Sequence, residues 1–132
     1  MRKAARRKSC SPRAHPVAVA ILNRQAAVEV ITPRIAEHEA LTAYQEGRAG
    51  WTDHRHLSIV ARVGLHLVEL GLEPQERPTF AAGLDLLDNL AGLTVATADE
   101  LDLLRRLVAA HDRQREQIGC GDYLKTLQAL LT

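Results

Sequence analysis

Residues Thr52 to Gly71 read TDHRHLSIVARVGLHLVELG, and their pattern decides the fold. From Arg55 onward the polar side chains other than His56 are Arg55, Ser58, Arg62, His66 and Glu69. Spacings of three and four put them in one narrow stripe along a helix. Almost everything between them is apolar: Leu57, Ile59, Val60, Ala61, Val63, Gly64, Leu65, Leu67, Val68 and Leu70. A surface helix has the opposite balance, with a broad polar face and a narrower apolar one. The segment is therefore expected to be covered by neighbours on most sides, as the central helix of an all-α fold. Thr52 is the expected N-cap, Asp53 suits the positive helix start, and Gly71 suits the residue after the C-cap.

Punctuation on either side supplies the neighbours. Pro16 to Ile31 has the composition of a first helix, with Val17, Ala20, Ile21, Ala27, Val28 and Ile31 on an apolar surface. Thr32-Pro33 is a cap followed by proline at the first helical position, so a second helix is expected from Pro33 to about Glu46. Its core residues should be Ile35, Ala36, Ala40, Ala43 and Tyr44. Trp51, the one tryptophan, then stands before the Thr52 cap, where it would staple onto the next turn. A fourth helix is expected from Pro78 to Leu90, with Phe80, Leu84, Leu87 and Ala91 at core spacing and Gly83 at a close crossing or merely tolerated.

Thr97-Ala98-Asp99-Glu100 is a capping box, in which the threonine and the glutamate three residues on satisfy each other's backbone N–H. It predicts a helix from Ala98 to Ile118. Leu101, Leu104, Leu107, Val108 and His111 form its buried face. Asp102, Arg105, Arg106, Asp112, Arg113 and Glu116 form its solvated one. Gly119-Cys120-Gly121 should break it, and Asp122 to Leu131 should form a last amphipathic helix. No stretch alternates with period two between hairpin turns. The sum is an all-α, single-domain bundle of five or six helices around a buried helix at about residues 53–70. A flexible basic arm at 1–15 precedes a helical domain at 16–132.

Composition agrees. The 132 residues are 46% hydrophobic and only 3% aromatic, so the core is aliphatic and surfaces for base stacking are scarce. The net charge of +1 hides an asymmetry. Arg2, Lys3, Arg6, Arg7, Lys8 and Arg13 fall in the first 13 residues without an acid, and the remainder carries 11 basic against 16 acidic residues. Two cysteines, Cys10 and Cys120, far apart in the chain, do not suggest a disulfide framework, and no apolar run reaches the roughly 18 residues of a membrane span. The expected protein is cytoplasmic and has no membrane partner.

The candidate sites follow from the residue types. Six histidines, His15, His38, His54, His56, His66 and His111, lack the i, i+4 pairing of a helical zinc site, and no second cysteine stands at ligand distance from Cys120. No metal or other cofactor is expected. Arg62, His66 and Glu69 share a face, so a glutamate holding a histidine beside an anion-binding arginine is one reading. The simpler reading is a solvated stripe stitched by neighbouring charges, with Arg55 at its start. The six arm cations suit phosphates, an acidic partner, or solvent alone. The body lacks a basic recognition helix, since residues 78–90 contain Asp85 and Asp88 and no Lys or Arg.

Four pieces carry a resemblance: Arg6-Arg7-Lys8, the turn from Gly47 to Asp53, the apolar run from Leu57 to Leu70, and Val108-Ala109-Ala110-His111-Asp112. In these the chain resembles small helical proteins of unknown function from phages and plasmids of high-GC proteobacteria. The resemblance implies an accessory protein of a mobile element and no catalytic residues. The first expectation is thus a non-enzymatic regulatory protein that binds a host protein. The alternative is a nucleic-acid-associated protein acting through the arm, and the least favoured is a small helical enzyme using Arg62, His66 and Glu69. The apolar supply leaves room for a homodimer through the first or the last helix.

Overall fold

A computed structural model describes residues 33–131. The basic arm, His15, Cys10 and the expected first helix lie outside the described residues. Within them the chain is helical throughout. Helix α1 covers residues 33–46, α2 Trp51–Glu69, α3 Arg77–Leu90, α4 Ala98–Ile118 and α5 Cys120–Leu131, with one 3-10 turn at Pro74–Glu76. The all-α bundle read from the sequence is the observed architecture. No described helix is long and apolar enough to cross a membrane.

Helix α2 is the centre of the bundle. Its Leu57, Val60, Ala61 and Val68 enter the main core, with Ala40, Ala43 and Tyr44 of α1, Phe80, Leu87 and Leu90 of α3, and Leu101, Leu104, Leu107 and Val108 of α4. Its Val63 and Leu67 point into a second, smaller cluster with Tyr123 of α5, flanked by Ile59, Leu72, Ile118, Leu124 and Leu127. One helix therefore lies between two apolar clusters, which is why so little of its circumference is polar.

Two glycines set the helix spacing. A methyl group on Gly64 would lie 2.2–2.7 Å from the Phe80 ring, and one on Gly83 would lie 2.2 Å from Leu107 Cδ1. The α2–α3 and α3–α4 crossings are close because a large side chain of one helix fills the space a methyl group would occupy on the other. At Gly83 the close atom is only the terminal methyl of Leu107, with the rest of that side chain 3.6 Å or more away, so this crossing can yield more readily than the one at Gly64.

The helix ends differ in part from expectation. Helix α2 begins at Trp51, with Gly50 as its N-cap. Asp53, not Thr52, closes that end, its Oδ2 accepting from Gly50 N–H at 2.9 Å. Glycine gives no side-chain cap of its own, so the carboxylate three residues on does the satisfying. Trp51 consequently becomes a helical residue, is 68% exposed, and meets only the His54 ring edge-on, with centroids 5.8 Å apart. It does not staple the turn. At the other end Gly71, at φ +92°, terminates α2 as expected. Gly71 N–H donates to Val68 O at 2.9 Å and Leu72 N–H to Leu67 O at 3.0 Å, the paired closure that a left-handed residue permits.

The Thr97–Glu100 box forms as read, Thr97 N–H donating to Glu100 Oε1 at 2.8 Å and Glu100 N–H to Thr97 Oγ1 at 3.3 Å. Gly119 alone, at φ +86°, separates α4 from α5, and the last helix starts at Cys120. Ala91 and Ile35, expected in the core, are exposed. Ala91 lies one residue past the end of α3, where Gly92 turns the chain away, and Ile35 is on the outward side of α1.

Gly64→Ala should destabilise the bundle by about 1–3 kcal/mol through overpacking against Phe80, despite alanine's higher helix propensity. Urea unfolding of the single variant and of Gly64→Ala/Phe80→Leu should show part of the loss recovered in the pair.

Candidate functional site

Three polar residues of α4 point inward. His111, Gln114 and Arg115 fall at intervals of three and four and continue the stripe begun by Leu104, Leu107 and Val108. All three are buried, and each is partnered. Gln114 Nε2 uses its two hydrogens on two backbone carbonyls, Gly64 O at 3.0 Å and Leu72 O at 3.1 Å. That fixes the amide, so Gln114 Oε1 is an acceptor and takes the hydrogen of His111 Nδ1 at 2.9 Å. His111 Nε2 then carries the lone pair and accepts from the Tyr123 hydroxyl at 2.8 Å. The tyrosine oxygen in turn accepts from Arg115 Nη2 at 2.9 Å, and the guanidinium lies 5.0 Å from the centre of that ring.

The chain ends in an ion pair. Arg115 grips Glu37 of α1 through two bonds, Nη1 to Oε1 at 2.7 Å and Nη2 to Oε2 at 2.5 Å, with both side chains almost fully buried. A third bond, Arg115 Nη1 to Asp112 Oδ1 at 3.1 Å, ties it back to its own helix. Asp112 also pairs with Arg34 and His38. Burial pushes the Glu37 carboxyl up against the opposing pull of Arg115. Burial also works to lower the guanidinium's affinity for its proton, but the bonds to Glu37 and Tyr123 outweigh it, and Arg115 stays firmly protonated. The Tyr123 hydroxyl is pushed up to about 12, mainly by burial, so it keeps the proton it donates. His111 is held down at about 3, by burial first and by the nearby Arg115 second, so it is neutral.

Every hydrogen in this relay has one direction, from Arg115 through Tyr123 to His111 and from His111 through Gln114 to the carbonyls of α2 and of the loop after it. The arrangement joins α1, α2, α4 and α5 in a closed interior. Its Tyr–His contact is shut off from solvent by the same side chains that hold it, so its chemical consequence is mechanical: a directional clasp. A second clasp centres on the buried Glu76, with exposed arginines reaching over it. Glu76 accepts from Thr79, Arg106 and Arg113, and Glu73 from Arg113 and Gln117, fastening the α2–α3 loop to α4. Arg106 and Arg113, read as simply solvated, are in fact committed here. Glu73 holds a left-handed backbone at φ +52° to make this contact.

The stripe named from the sequence is in place as a row, with its acid turned to a partner on another helix. Arg55, Arg62 and His66 are exposed along α2. Glu69 belongs to Arg77 of α3, whose guanidinium holds its carboxyl below the usual range. No bond from His66 to Glu69 forms among the described residues. Of the other histidines, His54 donates from Nε2 to Leu87 O at 2.7 Å, and His38 pairs with Asp112. No three His, Cys, Asp or Glu side chains among the described residues are grouped to hold a metal ion.

One exposed apolar feature stands out at the end of the bundle where α2 starts. Ala49 N–H donates to Thr94 O at 3.0 Å and Ala96 N–H to Tyr44 O at 3.3 Å, so the α1–α2 and α3–α4 connections run side by side. Those joined segments and the start of α2 display Trp51, Leu93 and Val95, which are 68%, 53% and 54% exposed. Comparison with known proteins found no matching family model, no matching curated protein and no matching solved structure.

Two results should distinguish the clasp from ordinary packing. Arg115→Met alone leaves Glu37 buried and unpaired, and should cost about 3–5 kcal/mol, whereas Glu37→Met/Arg115→Met should recover most of that in urea unfolding. Acid should also weaken the fold through His111. Its folded value of about 3 lies below the ordinary 6.5, so the unfolded chain takes up the proton first. Stability is complete above pH ~6.5 and declines as pH falls toward 3, by about 2 kcal/mol at pH 5. Urea midpoints at pH 7 and 5 should show this drop, and His111→Gln should flatten it.

Proposed function

We propose that the protein is a non-enzymatic accessory protein that works by binding another protein. Its docking end is the α3–α4 loop with Leu93 and Val95 together with Trp51 at the start of α2. The observation that carries the reading is that Leu93 and Val95 are exposed on the α3–α4 loop, which is hydrogen-bonded to the α1–α2 connection, and Trp51 is exposed on the first turn of the helix that follows it. Meanwhile the acid and base groups with the strongest mutual contacts are spent on internal clasps. Exposed tryptophan beside aliphatic residues is the composition from which binding hot spots are built, because a large ring buries much area at little entropic cost. The resemblance to phage and plasmid proteins points to a host protein as the partner and to a cytoplasmic encounter.

Pull-down from lysate of a high-GC proteobacterium tests this. A specific partner should be retained by the full chain and by a chain lacking residues 1–13. It should be lost with Trp51→Ser/Leu93→Ser, while circular dichroism and thermal midpoint stay unchanged. Retention by the double variant would refute the assignment of this end.

A further inference from the structure

Seven of the ten Arg and Lys residues between 33 and 131 are held in ion pairs. The three described cations without an acidic partner are Arg55, Arg62 and Lys125, all exposed and all on α2 or α5. These two helices are direct neighbours: Val63 and Leu67 pack with Tyr123, and Ile59, Arg62, Val63 and Leu130 line one hollow between them. The acids that belong to α2 do not cancel the row. Glu69 is paired with Arg77, and Asp53, two residues before Arg55, lies off the side of the helix that carries the row. Asp122, on the first turn of α5, is the exposed acid nearest in sequence to Lys125, so the two arginines carry the face.

Arg55 and Arg62 are seven residues apart and His66 follows by four, all on one side of the helix. At 1.5 Å per residue the row spans about 10 Å between the arginines and about 16 Å in all. Two guanidinium groups that far apart on a helix cannot converge on one small anion. They fit a ligand whose charges are themselves strung along a line, as backbone phosphates are, and guanidinium groups bind phosphate oxygens in a two-pronged geometry. We infer that the exposed Arg55–Arg62–His66 row of α2, with Lys125 beside it, is a sequence-independent contact surface for the phosphate backbone of nucleic acid. The row begins one helical turn after Trp51, and the inference does not depend on the function proposed for the Trp51–Leu93–Val95 end.

The test is fluorescence anisotropy of the full chain against labelled random duplex DNA at two salt concentrations, with vesicles containing phosphatidylserine as a second anionic surface. Arg55→Gln/Arg62→Gln should weaken DNA binding roughly tenfold at low salt and make the slope of log K against log salt shallower by about 2. Arg55→Lys/Arg62→Lys should restore most of it, and Arg105→Gln, which removes an exposed but paired arginine, should change nothing. In the unaltered chain, bound DNA should protect Arg55 and Arg62 from modification by phenylglyoxal, a readout that needs no variant to fold. Unchanged binding and slope in the double Gln variant, absence of protection, or arginine-dependent binding to vesicles without binding to DNA would each overturn the proposal.

Discussion

Gln114 is the residue on which the bundle's geometry turns. Its amide spends both hydrogens on backbone carbonyls that belong to other parts of the chain, one inside α2 and one in the loop that follows it. A buried carboxamide with both hydrogens and its oxygen engaged in one orientation dictates the state of everything attached to it. It sets which histidine nitrogen bears hydrogen, hence which way the tyrosine hydroxyl points, hence which oxygen remains for Arg115. Leaving any one of these groups unmet inside the bundle costs more than making its bond gains. The relay therefore selects one register of α4 against its neighbours, whereas leucines alone tolerate several.

The apolar clusters supply the driving force and the glycines supply the distance. Neither would fix α5, which touches the bundle through a small cluster and through Tyr123. The hydroxyl of that tyrosine sits between a fixed donor and a fixed acceptor, so the helix after Gly119 is located by a hydrogen-bonded side chain as much as by oil. Beside the relay, Glu73 and Glu76 hold the α2–α3 connection to α4.

Much of this was legible in the sequence, for identifiable reasons. The narrow polar stripe of α2 gave away its central position, because few arrangements other than burial explain so broad an apolar surface. The capping box at Thr97 and the left-handed closure at Gly71 are local chemistry, and local chemistry survives in any tertiary setting. Thr52 misled because a carboxylate three residues beyond a glycine does the same work as a capping hydroxyl. His111 was legible on the buried face, but the rest of the relay escaped for a different cause. His111, Gln114 and Arg115 continue the spacing of the leucines before them, but two of the three side chains are strongly polar, and a helix rich in arginine and acid reads as solvated there. Spacing alone would have placed them inward. Glu37 gave no signal at all, since its partner is 78 residues away. The row on α2 was visible as a row, but its neutral flanks depend on Arg77 meeting Glu69, which only the packed helices reveal.

Gly64 sits where these influences meet. Its missing methyl group admits the Phe80 ring, and its carbonyl receives Gln114. In a lineage of such proteins, positions 64, 80 and 114 are consequently not free to drift one at a time. A larger residue at 64 is compatible only with a smaller one at 80, and a change that rotates the carbonyl strands the amide at 114. Substitution there should proceed in concerted steps, while the outer faces of α1 and α3 change singly.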